Sequence, residues 1–275
     1  MMLGGAKDAL KTVIGQVAEI ALPGLGREID EARNTTRAAK LKRAILFARI
    51  RRAQAQGDTA AIEKTLTAYW QGDENWYYDS YVEKRFAFFR EHHAVVVEEL
   101  RRAIADAGAP FSRLVEIGCG DGSVLAYVAG QLPAIPEAVG LDINAQIIAR
   151  DAARAAGDGR LSFVNADARE WLGLNPRPGT AALTNNGVLE FFSEESLDRL
   201  LAMLAGTPPA AIALIEPIDP DHDLTRRTDS YAYGRERAFS HNHRARLTEA
   251  GFKVTFEKEM YGIGLRWMLM VGVRL

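Results

Sequence analysis

Residues 114–127 read Leu-Val-Glu-Ile-Gly-Cys-Gly-Asp-Gly-Ser-Val-Leu-Ala-Tyr. Leu114 to Ile117 has the composition of the end of a buried strand, and Gly118 to Gly122 forms a tight loop. From Ser123 the pattern turns helical, with Val124, Leu125 and Val128 on one apolar face. Strand, glycine turn and helix in this order place a ligand at the carboxyl end of a strand in a parallel sheet. Glycine takes positive φ without strain and lets a ligand approach the backbone with no Cβ between. The spacing then narrows the ligand. A dinucleotide loop needs G-x-G-x-x-G, and here Ser123 stands in the third position. A phosphate-cradling P-loop needs a terminal Lys-Ser/Thr, which is absent. Taken alone, the loop reads equally well as a cofactor turn or as a plain connection.

What the loop does contain is Glu116-x-Gly118-x-Gly120-x-Gly122, which resembles the first motif of the class I S-adenosylmethionine (SAM)-dependent methyltransferases. Two downstream acids fall where that resemblance wants them. Ala138 to Asp142 reads as a second strand, and Asp142 stands 20 residues beyond Gly122. An ionised carboxylate is an acceptor-only group suited to both hydroxyls of an adenosine ribose. Ile143 would lie against the adenine face. Asp142 is equally suited to cap the helix that starts near Asn144, and the two roles are compatible. Leu161 to Asn165 reads as a third strand, followed by Asp167. The resemblance implies that Asp167 accepts the adenine amino group and that Ala168 supplies a backbone donor. The plainer reading makes Asp167 a helix cap.

Ala181 to Thr184 reads as a fourth strand, leading into Asn185-Asn186-Gly187-Val188-Leu189-Glu190-Phe191. The resemblance places this strand end beside the sulfonium methyl, with Asn185 on the cofactor, Asn186 orienting the nucleophile and Glu190 on the substrate side. Many members of that family read Leu-Glu-His here. Phe191 takes the histidine's place and removes one possible base. Ser193 is expected to cap the next helix, with Glu194 and Glu195 in its first turn. Ala211 to Glu216 reads as the fifth strand, ending in Glu216, a candidate general base. From Asp219 to Phe239 the chain reads as a polar loop, and Tyr231 and Tyr233 are its candidate substrate contacts. Ser240 is expected to cap the last long helix, leaving His241 as a candidate base and one of His241 and His243 facing solvent. The two histidines sit at i and i+2, which do not share a helix face, so no metal site is expected. Two final strands, Phe252 to Phe256 and Trp267 to Val273, match the antiparallel pair that ends the resembled fold.

Residues 1–109 read as a helical N-terminal extension or lid, and residues 110–275 as the SAM-binding domain, with Gly108-Ala109-Pro110 as the boundary. Leu10, Val13, Ile14, Val17 and Ile20 recur at helical spacing, and Pro23-Gly24 is expected to end that helix. Helix is also expected from about Glu28 to Gln56, a stretch with basic residues and no acid after Glu31. Those charges are read mainly as a solvated surface. A long helix is expected from Val82 to Ala107. The aromatic stretch before it reads mostly as core. The lid alternative puts Tyr77, Tyr78 and Tyr81 on the substrate and Arg85 on the methionine carboxylate.

The net charge of -2 gives no reason to expect nucleic acid as a partner. Cys119 is the sole cysteine, so no intramolecular disulfide forms and a reducing compartment is expected. No apolar run reaches membrane-spanning length, and no secretory signal pattern opens the chain, so cytoplasm is the expected location. The resemblance, which covers about residues 111–275, implies an α/β fold with a seven-stranded, mostly parallel Rossmann-like methyltransferase sheet and helices on both faces, with a helical N-terminal extension before it. It implies methyl transfer from SAM to a nitrogen or oxygen of a small molecule. Two alternatives stand beside it: a non-catalytic SAM- or S-adenosylhomocysteine (SAH)-binding module that docks a partner through its helices, and an RNA methyltransferase guided by the basic helix.

Overall fold

Alternate residues of the strands divide between two apolar layers, and that division explains how one sheet carries helices on both faces. The computed structural model describes residues 2–31, 38–72, 84–154, 158–234 and 237–275. The larger of two compact units, Tyr78–Tyr231 with Phe239–Leu275, holds the sheet. Its strands are β1 (Arg113–Ile117), β2 (Glu137–Asp142), β3 (Leu161–Asn165), β4 (Thr180–Asn185), β5 (Ala210–Ile218), β8 (Lys253–Gly262) and β9 (Leu265–Arg274). The short strands β6 (Tyr231–Tyr233) and β7 (Ala238–Ser240) form a separate ribbon. The main order is β3-β2-β1-β4-β5-β9-β8, parallel from β3 to β5 and antiparallel at β5–β9 and β9–β8. The final pair is antiparallel as expected.

On one face Leu114, Ala181, Leu183, Ala211 and Ala213 pack with Val124, Leu125 and Val128 of the helix after the glycine loop. On the other, Val115, Ala182, Ile212 and Leu214 pack with Leu197, Leu200, Leu201 and Leu204 of the helix Glu194–Ala205. The chain leaves β1 toward β2 and β3 and then returns to β4 on the other side. Ile117 lies beside Thr184 in register. The reversal opens a crevice at the carboxyl ends of β1 and β4, where ligands bind in sheets of this kind.

The expected helix from Val82 to Ala107 is interrupted. Residues 84–88 are helical, Phe89–His93 forms a π-turn, and Val95–Asp106 resumes the α-helix. Phe89, Val96, Val97 and Leu100 are buried in the sheet's core cluster, so this segment belongs to the larger unit. The expected boundary at 109 therefore falls inside that unit.

The smaller unit, Met1–Tyr77 with Ala232–Ala238, is built on α1 (Met2–Ala21), α2 (Pro23–Asp30), α3 (Ala39–Gln56) and α4 (Thr59–Gln71). Pro23 does not simply end a helix. It opens α2 at a first-turn position, where its missing N–H has no partner to lose. A Cβ on Gly15 would stand 1.9 Å from the Ala44 carbonyl oxygen, so glycine is what lets α1 meet α3 so closely. The apolar stripe on α1 is largely exposed: Leu10, Val13, Val17 and Ile20 are 62, 54, 59 and 83% accessible. The basic stretch on α3 is only partly a solvated surface. Lys42 is buried and pairs with Glu28 at 2.6 Å, while Arg49 pairs with Glu19 at 2.6 Å and Asp30 at 2.7 Å. Asp58 caps α4, accepting from the Ala61 N–H at 2.9 Å.

Candidate functional site

The glycine loop takes three left-handed steps, with φ of 69° at Gly118, 53° at Gly120 and 69° at Gly122. At two of them a side chain would also collide. A Cβ on Gly118 would stand 2.6 Å from a Val188 methyl carbon, and one on Gly122 would stand 2.5 Å from the Phe163 ring. Asp142, buried at the end of β2, fixes this loop. Its Oδ2 accepts from the Gly120 N–H at 3.1 Å, and its Oδ1 accepts from the Asn144 N–H at 2.9 Å. The helix cap is Asn144, whose Oδ1 faces the N–H groups of Gln146 and Ile147. With a third backbone bond from Ile143, the carboxylate keeps about one lone-pair direction open. Ile143 follows, half-buried.

Glu116 is buried inside β1. Its Oε2 has no hydrogen-bond partner, and burial together with the nearby Asp121 and Asp142 pushes its carboxyl well above the usual range. An ammonium group would relieve that concentration of acid.

Asp167 is the first residue of the site with a different allegiance. It caps the helix Ala168–Leu174, accepting from the Arg169 N–H at 2.8 Å, and it also pairs with the Arg169 side chain at 2.6 Å. Burial raises its pKa, but the Arg169 contacts outweigh burial and leave it lowered. Three of its roughly four lone-pair directions are used by Arg169. Ala168 opens that helix, where intrahelical bonding gives an N–H no partner.

The exit of β4 supplies the other wall. Asn186 and Gly187 are both left-handed, with φ of 66° and 79°, so the chain turns sharply just after Asn185. Glu190 lies in the short 3-10 turn Leu189–Phe191, and a Cβ on Gly187 would stand 2.3 Å from its Oε1.

Two expected bases prove to be supports for this turn. Glu216 is fully buried, and its Oε2 accepts from the N–H groups of Val188 at 2.9 Å and Leu189 at 3.0 Å. Burial pushes its pKa up to about 7, against the opposing pull of those bonds. His241 is also fully buried. Its Nε2 lies 3.0 Å from the Leu189 carbonyl, which can only accept, so Nε2 carries the proton. Its Nδ1 then accepts from Ser230 Oγ at 2.7 Å. With both nitrogens engaged and burial lowering its pKa to about 4, His241 has no free site for a substrate proton. Neither histidine faces solvent, since His243 is buried too. Asn242, not Ser240, caps the last helix, His243–Glu249.

Tyr231 donates to Asp219 at 3.1 Å and lies under the Arg227 guanidinium at 3.8 Å; burial first, then Asp219, pushes its pKa up to about 12. It is thus held by its own loop. Tyr233 belongs to the smaller unit. Tyr77, Tyr78 and Tyr81 lie outside the described residues, and Arg85 is half-buried.

One residue escapes the expectations altogether. His93 closes the π-turn, is 1% accessible, and packs against Phe88 and Trp267 at ring distances of 4.9 and 5.0 Å. It lies beside Asn185. A signal for it exists in the sequence: His93 follows Phe89 by four residues and continues the apolar stripe to Val96 and Leu100.

The sheet order, the glycine loop tied to β2 and the crevice between β1 and β4 are those of the class I, Rossmann-like methyltransferase fold. Residues 114–207 match the family described as a methyltransferase domain. A trans-aconitate 2-methyltransferase from Streptomyces avermitilis is 30% identical over 154 residues, covering 54% of this chain and 55% of that protein. The chain thus spans about half the length of the curated relative it matches. A magnesium protoporphyrin IX methyltransferase from Synechocystis PCC 6803, solved with bound SAM, shares the fold. Its TM-score is 0.50 at 18% identity, with 75% of this chain and 88% of that one covered. Among the described residues no helix is long and apolar enough to cross a membrane.

Proposed function

We propose that this chain binds SAM at the carboxyl ends of β1 and β2 and transfers its methyl group to a nitrogen or oxygen of a small molecule. The observation that carries the reading is Asp142, which stands at the carboxyl end of β2 and ties the glycine loop in place there. In this reading Asp142 holds the ribose hydroxyls, and Glu116 with the loop of Gly118, Gly120 and Gly122 receives the amino-acid end. Ile143 and Ala168 border the adenine. Asp167 is proposed beside the adenine amino group, sharing its carboxylate with Arg169 and the Glu170 backbone.

Bound SAM supplies an electrophilic methyl group, so the protein's task is alignment more than activation. Asn185 and Asn186 orient the nucleophile at the strand end. Glu216 and His241 act at one remove, by holding the 188–189 backbone on which that end is built. Glu190 and Tyr231, both of the larger unit, are proposed for the substrate side. Trans-aconitate, named by the curated relative, is a first acceptor to assay.

The test is calorimetric titration with SAM, SAH and NAD, on wild type and Asp142→Ala. Binding of the first two, lost in the variant, with NAD inert, supports the reading. Binding indifferent to Asp142 overturns it. The exposed stripe of α1 is the observation that favours the second reading, a SAM- or SAH-binding module that docks a partner. Methyl transfer by the isolated chain excludes that reading.

A further inference from the structure

The outer face of α1 is symmetric in a way that exposure alone does not require. Leu10, Val13, Ile14, Val17 and Ile20 are each at least 43% accessible, while Gly15 and Ala18 are buried on the opposite side. That side packs on α3, where Gly15 meets the Ala44 backbone. Successive residues of an α-helix turn by about 100°. Leu10, Val13, Val17 and Ile20 therefore lie evenly about the direction opposite Gly15, at the alternating three- and four-residue steps of a two-helix seam. The residue types match as well. Counted outward from Gly15, Val13 corresponds to Val17, Leu10 to Ile20 and Ala9 to Ala21. Charge is missing from this face. Lys11 and Glu19 are the only charged residues from Leu10 to Ile20, and both turn toward α3. Lys11 lies over the Phe47 ring at 4.4 Å, and Glu19 accepts from Arg49 at 2.6 Å and Arg52 at 3.3 Å.

We propose that this face binds a second copy of the same chain, α1 against α1, antiparallel about a two-fold axis level with Gly15. That operation sets Leu10 on the second copy's Ile20, Val13 on its Val17 and Ala9 on its Ala21, so every pair is apolar on apolar. A two-fold contact demands this, because the same patch must fit itself. The area also suffices. The five exposed apolar side chains present roughly 500 Å² per copy, so pairing removes about 1,000 Å² from water, near the lower limit of a specific interface. A groove of about 330 Å³ between α1 and α3, lined by Leu10, Lys11, Ile14, Lys40, Leu41 and Ala44, widens the apolar surface on one side. The pairing involves the smaller unit alone and does not depend on the cofactor.

Sedimentation velocity of the full chain from about 1 to 100 µM gives the first readout. Wild type is expected to pass from one chain to two across that range. Val17→Asp enters a two-fold contact twice and sets a carboxylate on the second copy's Val13, so it should weaken the dimer by about a hundredfold or more. Leu10→Asp should do the same from the end of the stripe. Both positions are exposed, so the circular dichroism of each variant should match wild type. Disulfide trapping reads the orientation, since the native Cys119 is buried. Leu10→Cys mixed with Ile20→Cys should cross-link between chains. Leu10→Cys alone should not, because antiparallel pairing sets its two copies about 15 Å apart along the helix. A wild-type chain that stays monomeric throughout overturns the proposal, and the stripe then falls to a different protein. A dimer untouched by both Asp variants overturns it too. Self-cross-linking by Leu10→Cys overturns the antiparallel pairing.

Discussion

Asp142 Oδ2 accepts the backbone N–H of Gly120 at 3.1 Å, so the acid that ends β2 also holds the loop that follows β1. One residue therefore serves cofactor contact and loop geometry together. Asp142→Asn should separate from Asp142→Ala only slightly, because the amide must either present a donor to the Gly120 N–H or give up the Asn144 N–H. Each lost buried hydrogen bond costs about 1 kcal/mol. Both variants are expected to weaken SAH binding by at least tenfold in calorimetry and to lower the melting temperature by a few degrees. A variant with full SAH affinity would remove Asp142 from the site.

Glu216 makes a prediction with a definite sign. Burial lifts its folded pKa to about 7 from an ordinary value of 4.5, so the folded state holds its proton more tightly than the unfolded state does. The associated stability is fully present below about pH 4.5 and is lost as pH rises through 7. Glu216→Gln keeps an acceptor for the Val188 and Leu189 N–H groups and abolishes the titration. In urea unfolding followed from pH 5 to pH 8, wild type should lose stability relative to Glu216→Gln, by on the order of 3 kcal/mol at the alkaline end. Glu216→Ala should be destabilised at every pH, because it leaves two backbone donors without their acceptor. Identical pH profiles for wild type and Glu216→Gln would contradict this account.

Gly118 is constrained twice, by its left-handed φ of 69° and by the Val188 methyl carbon 2.6 Å from where a Cβ would sit. The two constraints can be separated. Gly118→Ala should cost about 1–2 kcal/mol in backbone strain, plus the displacement of Val188. Adding Val188→Ala relieves only the second part. A double-mutant cycle by chemical denaturation should give a coupling of at least ~0.5 kcal/mol between the positions. Purely additive effects would mean that the contact carries no weight.

These residues also mark how far the sequence could be read. The sheet was legible because strands β1, β2 and β4 are buried on both faces and so appear as short apolar runs, ended at their carboxyl side by Gly118, Asp142 and Asn185. The glycine loop was legible because left-handed steps demand glycine. What residue type does not encode is depth and prior commitment. Glu216 and His241 carry the chemistry of bases, but the 188–189 backbone has already engaged them. Asp167 is likewise claimed by Arg169, two residues on, a neighbour that was there to be read. The π-turn was hidden for a different reason. Helical periodicity continues on both sides of Phe89–His93, and the extra residue shows only as a histidine inside an apolar stripe.

The buried histidines set the acid limit of the fold. Burial lowers His93 and His241 to about 4, and it lowers His243 well below its ordinary value of 6.5. A depressed histidine is stabilising while it remains neutral. Its contribution is present above the unfolded value of 6.5 and is lost as pH falls toward 4, because the unfolded chain takes up a proton that the folded one refuses. Each such histidine should add a slope of about 1.4 kcal/mol per pH unit across that window. His241→Gln can still donate to the Leu189 carbonyl but cannot titrate. Unfolding free energies measured at pH 7, 6 and 5 should fall less steeply for this variant than for wild type, by about one proton's worth. An unchanged slope would mean that His241 titrates normally in the folded chain, and that burial does not hold it neutral.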